Sequence, residues 1–289
     1  MDSVWIQELT WEDVAEYLKE RDDVIVPIGS TEAHGPHLPL GTDSYEAIDY
    51  AEEIGRQAQV LVAPPIWYGD AYWHMQKPGT LAVQPETVIA LLKDIYSSLI
   101  EHGFKKIITF NGHRLANLPA IGIASRAIKY AHPDVIFASM DPLTMVGTHL
   151  KLREAVGSGI HGDEFETSHM LLKHPDLVKR DKFVFSHGYF FETPFISVDA
   201  LAGGDTFQIY HSPADQGRLA PVGHIGDPTK ASVEKGQQLF DAVVNAGVAF
   251  IDDLRRWAET GYEIHGATSD EGRELLRREQ EWRAARIPK

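Results

Sequence analysis

The sequence predicts an α/β protein: a three-layer α/β/α sandwich with a largely parallel central sheet. Two observations predict it. Short, β-branched apolar runs at residues 24–28, 60–63, 105–110 and 135–139 read as buried strands. Between them lie segments whose apolar residues recur every three or four positions, the spacing of helices that cover both faces of such a sheet. At 289 residues and 43% hydrophobic composition, the chain buries enough surface to need no staples.

In order along the chain, Thr10 caps a helix that continues through Val14, Tyr17 and Leu18. The run 24–28 ends at Gly29. A helix through 47–54 leads to the strand 60–63. After a loop punctuated by Pro and Gly, Pro85 opens a helix with Val88, Leu91, Leu92, Ile95 and Leu99 on one face, and Gly103 closes it. The strand 105–110 follows, then a helix after Pro119, then the strand 135–139. Residues 175–228 are irregular and rich in Gly, Pro, His and aromatics, a pattern expected of a functional or interface-forming segment. Thr229 is expected to cap a long helix through Leu239, Val243, Val248 and Leu254. The expected organisation is a single domain over 1–260 and a helical extension over 261–289. There, Leu275, Leu276 and Trp282 lie on an otherwise charged helix expected to dock on the body or on a neighbouring subunit.

The charge balance excludes several partners. Lys and Arg number 27 against 42 Asp and Glu, a net charge of -15 that repels nucleic acid and anionic membrane surfaces. The amino terminus is acidic and lacks the pattern of a signal peptide, and no apolar stretch reaches the ~18 residues of a membrane span. A cytoplasmic protein is expected. There is no cysteine, so a transition metal would have to be held by carboxylates and the 14 histidines.

Ligands of parallel α/β sheets collect beyond the carboxyl ends of the strands, and three loops there carry histidine with a nearby polar or acidic partner. The first, residues 30–43, offers Glu32, His34 and Asp43, and a carboxylate such as Asp43 can bridge two cations. The second, residues 111–117, places His113 on a glycine-flanked turn, with Arg114 and Asn117 as polar donors near a pocket. The third, residues 161–169, carries His161, Asp163, Glu164 and Glu166 at the opening of a helix. Each has a structural alternative. Glu32 reads equally as a solvated charge, Asp43 as a helix cap, His34, His37 and His113 as hydrogen-bonded core groups, and Asp163 and Glu164 as partners of the helix dipole. Agreement of three independent loops favours a metal centre.

The strings PIGSTEAHGPHLPLGTD, NGHRLAN and HGDEFETSHML, in this order, resemble the creatininase family of dinuclear metal hydrolases over roughly residues 5–255. The resemblance implies the sandwich fold, two divalent ions (zinc or manganese), and a homo-oligomer, a hexamer. It implies that Glu32, Asp43 and His113 hold one ion, that His34, Asp43 and Glu166 hold the other, and that His161 is the general base or proton shuttle. Creatininases carry a Glu two residues after the histidine matching His113; Leu115 stands there. Their aromatic substrate pocket is also rearranged, with Tyr68, Tyr72, Trp73 and His74 preceding the run 77–80. His74, Trp73, Tyr72, Lys77 and Arg114 are the expected substrate contacts.

The expected function is attack of a metal-activated water on a carbonyl of a small, cyclic substrate, an amidohydrolase reaction not directed at creatinine. The alternative within the family is hydrolytic C–C opening of a cyclic diketone derived from inositol, of the 3-dehydro-scyllo-inosose type. A non-catalytic, metal-dependent ligand binder would fit a chain with a ligand replaced, and all five ligands are present. A dinuclear phosphoesterase would want a basic cluster, and Lys77 and Arg114 are the obvious cations.

Overall fold

A computed structural model describes residues 3–155, 158–186 and 212–260, with helical backbone also at Glu274, Arg277 and Arg278. The first helix, α1 (Trp11–Tyr17), starts where expected, with Thr10 and Asp13 forming a reciprocal cap. The strands β1 (Asp23–Ile28), β2 (Leu61–Val62), β3 (Lys106–Asn111) and β4 (Ile136–Met140) form a parallel sheet in the order β2-β1-β3-β4. Every residue of β1 is buried, the pattern of a central strand covered on both faces.

The two faces differ in what covers them. Val24, Val26 and Ile28 project into a core with Val88, Leu92 and Tyr96 of α3 (Pro85–Glu101) and Ala120, Ile121 and Ala124 of α4 (Arg114–Ala131). On the opposite face, Phe110 stacks on Tyr50 of α2 (Thr42–Ala58) at 5.4 Å between ring centroids. Tyr50 in turn stacks at 5.0 Å on Phe240 of α8 (Val233–Thr260). Each buried Val, Leu, Ile or Phe contributes about 1.5–3 kcal/mol relative to its exposed state. The central sheet flanked by helices is therefore the expected α/β sandwich.

Three boundaries differ from the sequence expectation. α2 begins at Thr42, ahead of the apolar pattern, because its first turn buries Thr42, Asp43, Ser44 and Glu46 rather than apolar groups. α4 begins at Arg114, with Pro119 inside its second turn; the missing N–H there removes one helical hydrogen bond, a local cost that the packed helix absorbs. α8 is capped by Ser232, whose hydroxyl accepts from the Lys235 N–H at 3.1 Å. The Thr229 hydroxyl instead donates to Asp227 at 2.6 Å within a 3-10 turn, Pro228–Lys230.

Beyond β4 come the short α5 (Val146–Leu152) and α6 (Glu164–Lys173), which opens on Asp163 as its cap. The irregular stretch contains α7 (Pro213–Leu219), capped by Ser212 and Asp215; residues 187–211 lie outside the described residues. The chain divides into two compact units, Met1–Val248 and Ala249–Lys289, the boundary falling within α8. In the second unit, Arg255 pairs with Asp252 and Arg277 with Glu274. The expected docking of the tail helix over 269–286 rests on residues outside those described, save the three named above.

Candidate metal centre

The centre forms where the first turn of α2 meets the carboxyl ends of β1 and β3. Two glycines permit that approach. A Cβ on Gly29, just after β1, would lie 2.4 Å from the Cα and backbone nitrogen of Ser44, and one on Gly112, just after β3, would lie 2.0 Å from the Asp43 carbonyl oxygen. Only a residue without a side chain allows the backbones to come this close. Gly112→Ala is accordingly expected to destabilise the protein by about 1–3 kcal/mol or more, read as a lowered thermal midpoint; an unchanged midpoint would refute the packing argument.

Asp43, held in this wedge, is 2% exposed and faces both loops. Its Oδ1 lies 2.9 Å from His34 Nε2. Its Oδ2 lies 3.0 Å from His113 Nδ1 and accepts from the Ser30 hydroxyl at 2.8 Å. Glu166, on the first turn of α6, brings Oε2 to 3.7 Å from His34 Nε2. Glu32 is fully buried, and neither carboxylate oxygen has a hydrogen-bond partner. Around it stand His113 Nε2 at 3.3 Å, His74 Nε2 at 3.5 Å and His161 Nδ1 at 3.5 Å.

Three imidazoles are fixed in one way, each by a backbone carbonyl. His34 Nδ1 lies 3.1 Å from the Glu32 carbonyl, His113 Nε2 lies 2.9 Å from that of Asp70, and His161 Nε2 lies 2.7 Å from that of Ala33. A carbonyl can only accept, so the bonded nitrogen carries the proton and the other presents its lone pair, the usual support of a metal-ligating histidine. The free nitrogens face Asp43 and Glu32. Among the described residues, ligand atoms gather within 4.8 Å of one another in three groups: Glu32 with Asp43 and His113, His34 with Asp43 and Glu166, and Glu32 with His34 and His161. The first two are the sets that the resemblance implies; the third brings His161 closer to the carboxylates than the sequence suggested.

Electrostatics reflect the crowding of carboxylates. Burial, reinforced by Asp163 and Asp43, pushes Glu166 up to about 8 against the pull of His34. Burial with Glu166, Asp43 and Asp163 nearby pushes Glu46 well above the usual carboxylate range. Burial would also raise Asp43, but His34 and His113 hold it well below that range. His113 is pushed up to about 10, burial being outweighed by Glu32 and Asp43. Such a site favours multivalent cations, which satisfy several buried anions at once.

Other residues named from the sequence find varied places. His74, on the 3-10 turn Tyr72–His74, joins the cluster and stacks on His161 at 4.2 Å. Tyr72 beside it is half-exposed and Trp73 partly buried. Lys77 donates to the Pro221 carbonyl at 2.6 Å, and Arg114 pairs with Asp141 at 3.4 Å. His37 is buried against Thr167; burial, with His224 and His34, lowers it to about 3, so it is neutral. Asp163 caps α6, as its structural alternative held, whereas Glu164 is buried and ion-paired with Lys235. Asn117 faces the protein interior instead of a pocket, being fully buried. Glu46 escaped the sequence reading because it follows Asp43 by less than a turn, within what reads as an ordinary polar helix start.

The chain is thus an α/β protein whose parallel sheet gathers buried carboxylates and imidazoles beyond its strand ends into a candidate metal centre. The chain belongs to the creatininase family, described as creatinine amidohydrolases, which it matches over residues 7–251. It is 29% identical over 269 residues to the 3-dehydro-scyllo-inosose hydrolase of Thermotoga maritima, covering 87% of this chain and 83% of the relative. It is 30% identical over 241 residues to the mycofactocin precursor peptide peptidase of Mycolicibacterium smegmatis, covering 81% and 85%. A type II mutant creatininase has the same fold, with a TM-score of 0.72 at 25% identity, over 87% of this chain and 98% of that one. Creatininases in manganese and Zn-Zn forms share the fold at a TM-score of 0.71.

Proposed function

We propose that this hydrolase holds two divalent cations, manganese or zinc, one among Glu32, Asp43 and His113 and the other among His34, Asp43 and Glu166. It then hydrolyses an amide of a small, cyclic substrate. The observation that carries the reading is Glu32, a buried carboxylate without a hydrogen-bond donor, ringed by imidazoles. Leaving such an anion uncompensated is costly, and oxygen and imidazole donors together suit manganese and zinc. When bound, such a pair supplies an acidified water as nucleophile and polarises the substrate carbonyl.

The chain's own residues do the rest. The Ala33 carbonyl fixes the His161 ring, so that Nδ1 takes up a proton as water adds to the carbonyl. It then returns that proton to the leaving nitrogen as the C–N bond breaks. His74, stacked on His161, together with Tyr72 and Trp73 on the same 3-10 turn, contacts the substrate, and Lys77 and Arg114 do so on turning away from the Pro221 carbonyl and Asp141.

A second reading, C–C opening of a cyclic diketone, is favoured by the inosose hydrolase relative that aligns with 87% of the chain; the same proton would then pass to an enolate carbon. A screen of lactams, formamides and cyclic polyol ketones with the manganese-loaded protein tests both. Chelator-sensitive turnover of a lactam or formamide supports the first and of a ketone the second, while no turnover of any class would refute the carbonyl hydrolase.

Leu115, where creatininases carry a carboxylate, is 59% exposed and can neither hold a water nor relay its proton. Creatinine turnover is therefore expected to stay below about 1 per second, the low end of ordinary enzymes, in a coupled assay for creatine; a faster rate would refute the argument from Leu115.

Among the described residues no helix is long and apolar enough to cross a membrane. A cytoplasmic homo-oligomer, a hexamer by resemblance to the family, completes the proposal. Leu115, Leu118, Ile123 and Tyr130 on the solvent side of α4 offer apolar surface for subunit contacts. Light scattering of the purified chain reads the subunit number.

A further inference from the structure

We propose that Asn117 is a positioning residue for His113, acting through the backbone of Asp70. The inference rests on the reading of His113 as a metal ligand. Asn117 lies in the first turns of α4 and is fully buried. Its Nδ2 donates to the Gly29 carbonyl at 3.0 Å and lies 3.4 Å from Asn111 Oδ1. Its Oδ1 accepts from the Asp70 N–H at 3.1 Å. The neighbours fix the orientation of the amide: a carbonyl can only accept and an N–H can only donate. One side chain thus ties the end of β1, the end of β3 and the loop at Asp70 together.

That loop holds His113. The Asp70 carbonyl accepts from His113 Nε2–H at 2.9 Å, which leaves the Nδ1 lone pair facing Asp43 Oδ2 at 3.0 Å. From the other side, Asn111 Oδ1 accepts from the His113 N–H at 3.0 Å. The loop has no slack against Asn117, for a Cβ on Gly69 would lie 2.7 Å from both Asn117 Oδ1 and the Gly29 carbonyl oxygen. Removing the Asn117 amide frees the Asp70 peptide to turn. The Asp70 carbonyl then ceases to choose the tautomer of His113 and to hold its ring.

Outer partners of this kind are worth about 10- to 100-fold in metal affinity. Asn117→Ala is therefore expected to weaken manganese binding by about that factor, measured by calorimetric titration of the chelator-stripped full chain. Asn117→Asp keeps an acceptor toward Asp70 and is expected to lose less. Proton-nitrogen NMR of the metal-free protein is expected to show the His113 Nε2–H, bonded to the Asp70 carbonyl, protected from solvent exchange in the wild type and exchanging freely in Asn117→Ala. If the alanine variant does not fold, Asn117→Ser carries the same expectations. Unchanged affinity and unchanged exchange of the His113 Nε2–H in the folded variant, with only a lower thermal midpoint of the metal-free protein, would overturn the proposal and make Asn117 merely structural. If the wild type binds no manganese, the metal reading fails by itself, and the NMR comparison still decides the role of Asn117.

Discussion

Asp43→Ala is expected to empty the centre, taking the metal content of protein purified without chelator from about two divalent ions per chain, the number of a two-metal hydrolase, to none. Asp43 is the residue common to the Glu32–His113 and His34–Glu166 groups, and its two oxygens face the two imidazoles separately, at 2.9 and 3.0 Å. Its removal strips each group of a ligand and of the negative charge between them. Glu166→Ala, by contrast, touches one group and is expected to leave about one ion bound. Elemental analysis reads both variants. A wild type with less than one equivalent and full activity, or an Asp43→Ala protein that keeps its metal, would dismantle the dinuclear assignment.

His161→Ala is expected to cut turnover by about 100-fold or more, the usual scale of general acid-base assistance, while the metal content stays as in the wild type. The ring precedes α6, whereas Glu166 is fixed within its first turn. The two Asp43-containing groups are complete without it. The competing role is concrete, because His161 Nδ1 also gathers with Glu32 and His34. Loss of an ion in the alanine variant would make His161 a ligand and leave the proton transfer to another group.

The parallel sheet is legible in the amino-acid sequence alone, because β1 and β3 are covered by helices on both faces and so carry short apolar runs, 24–28 in β1 and Ile107 and Ile108 with Phe110 in β3. Two of the loops that hold carboxylates and imidazoles, 30–43 and 111–117, are legible in the same way because they follow the ends of β1 and β3 directly, whereas His161 and Glu166 follow α5 and not a strand. Apolar periodicity could not place the start of α2, where polar side chains turn inward toward the centre, or the start of α4, where proline reads as a boundary although the helix runs through it.

Where the long and polar side chains near the centre point depends on packing between distant segments. Lys77 and Arg114 read from the sequence as free cations beside a pocket, yet one ends on the Pro221 carbonyl and the other on Asp141. Asn117 reads as a substrate donor, yet its amide is spent on the backbones of Gly29 and Asp70. These partners are 144, 27, 88 and 47 residues distant in the chain, and a hydrogen bond made across such separations leaves no local pattern in either segment. The burial that forces each polar group to find a partner exists only once the layers have packed.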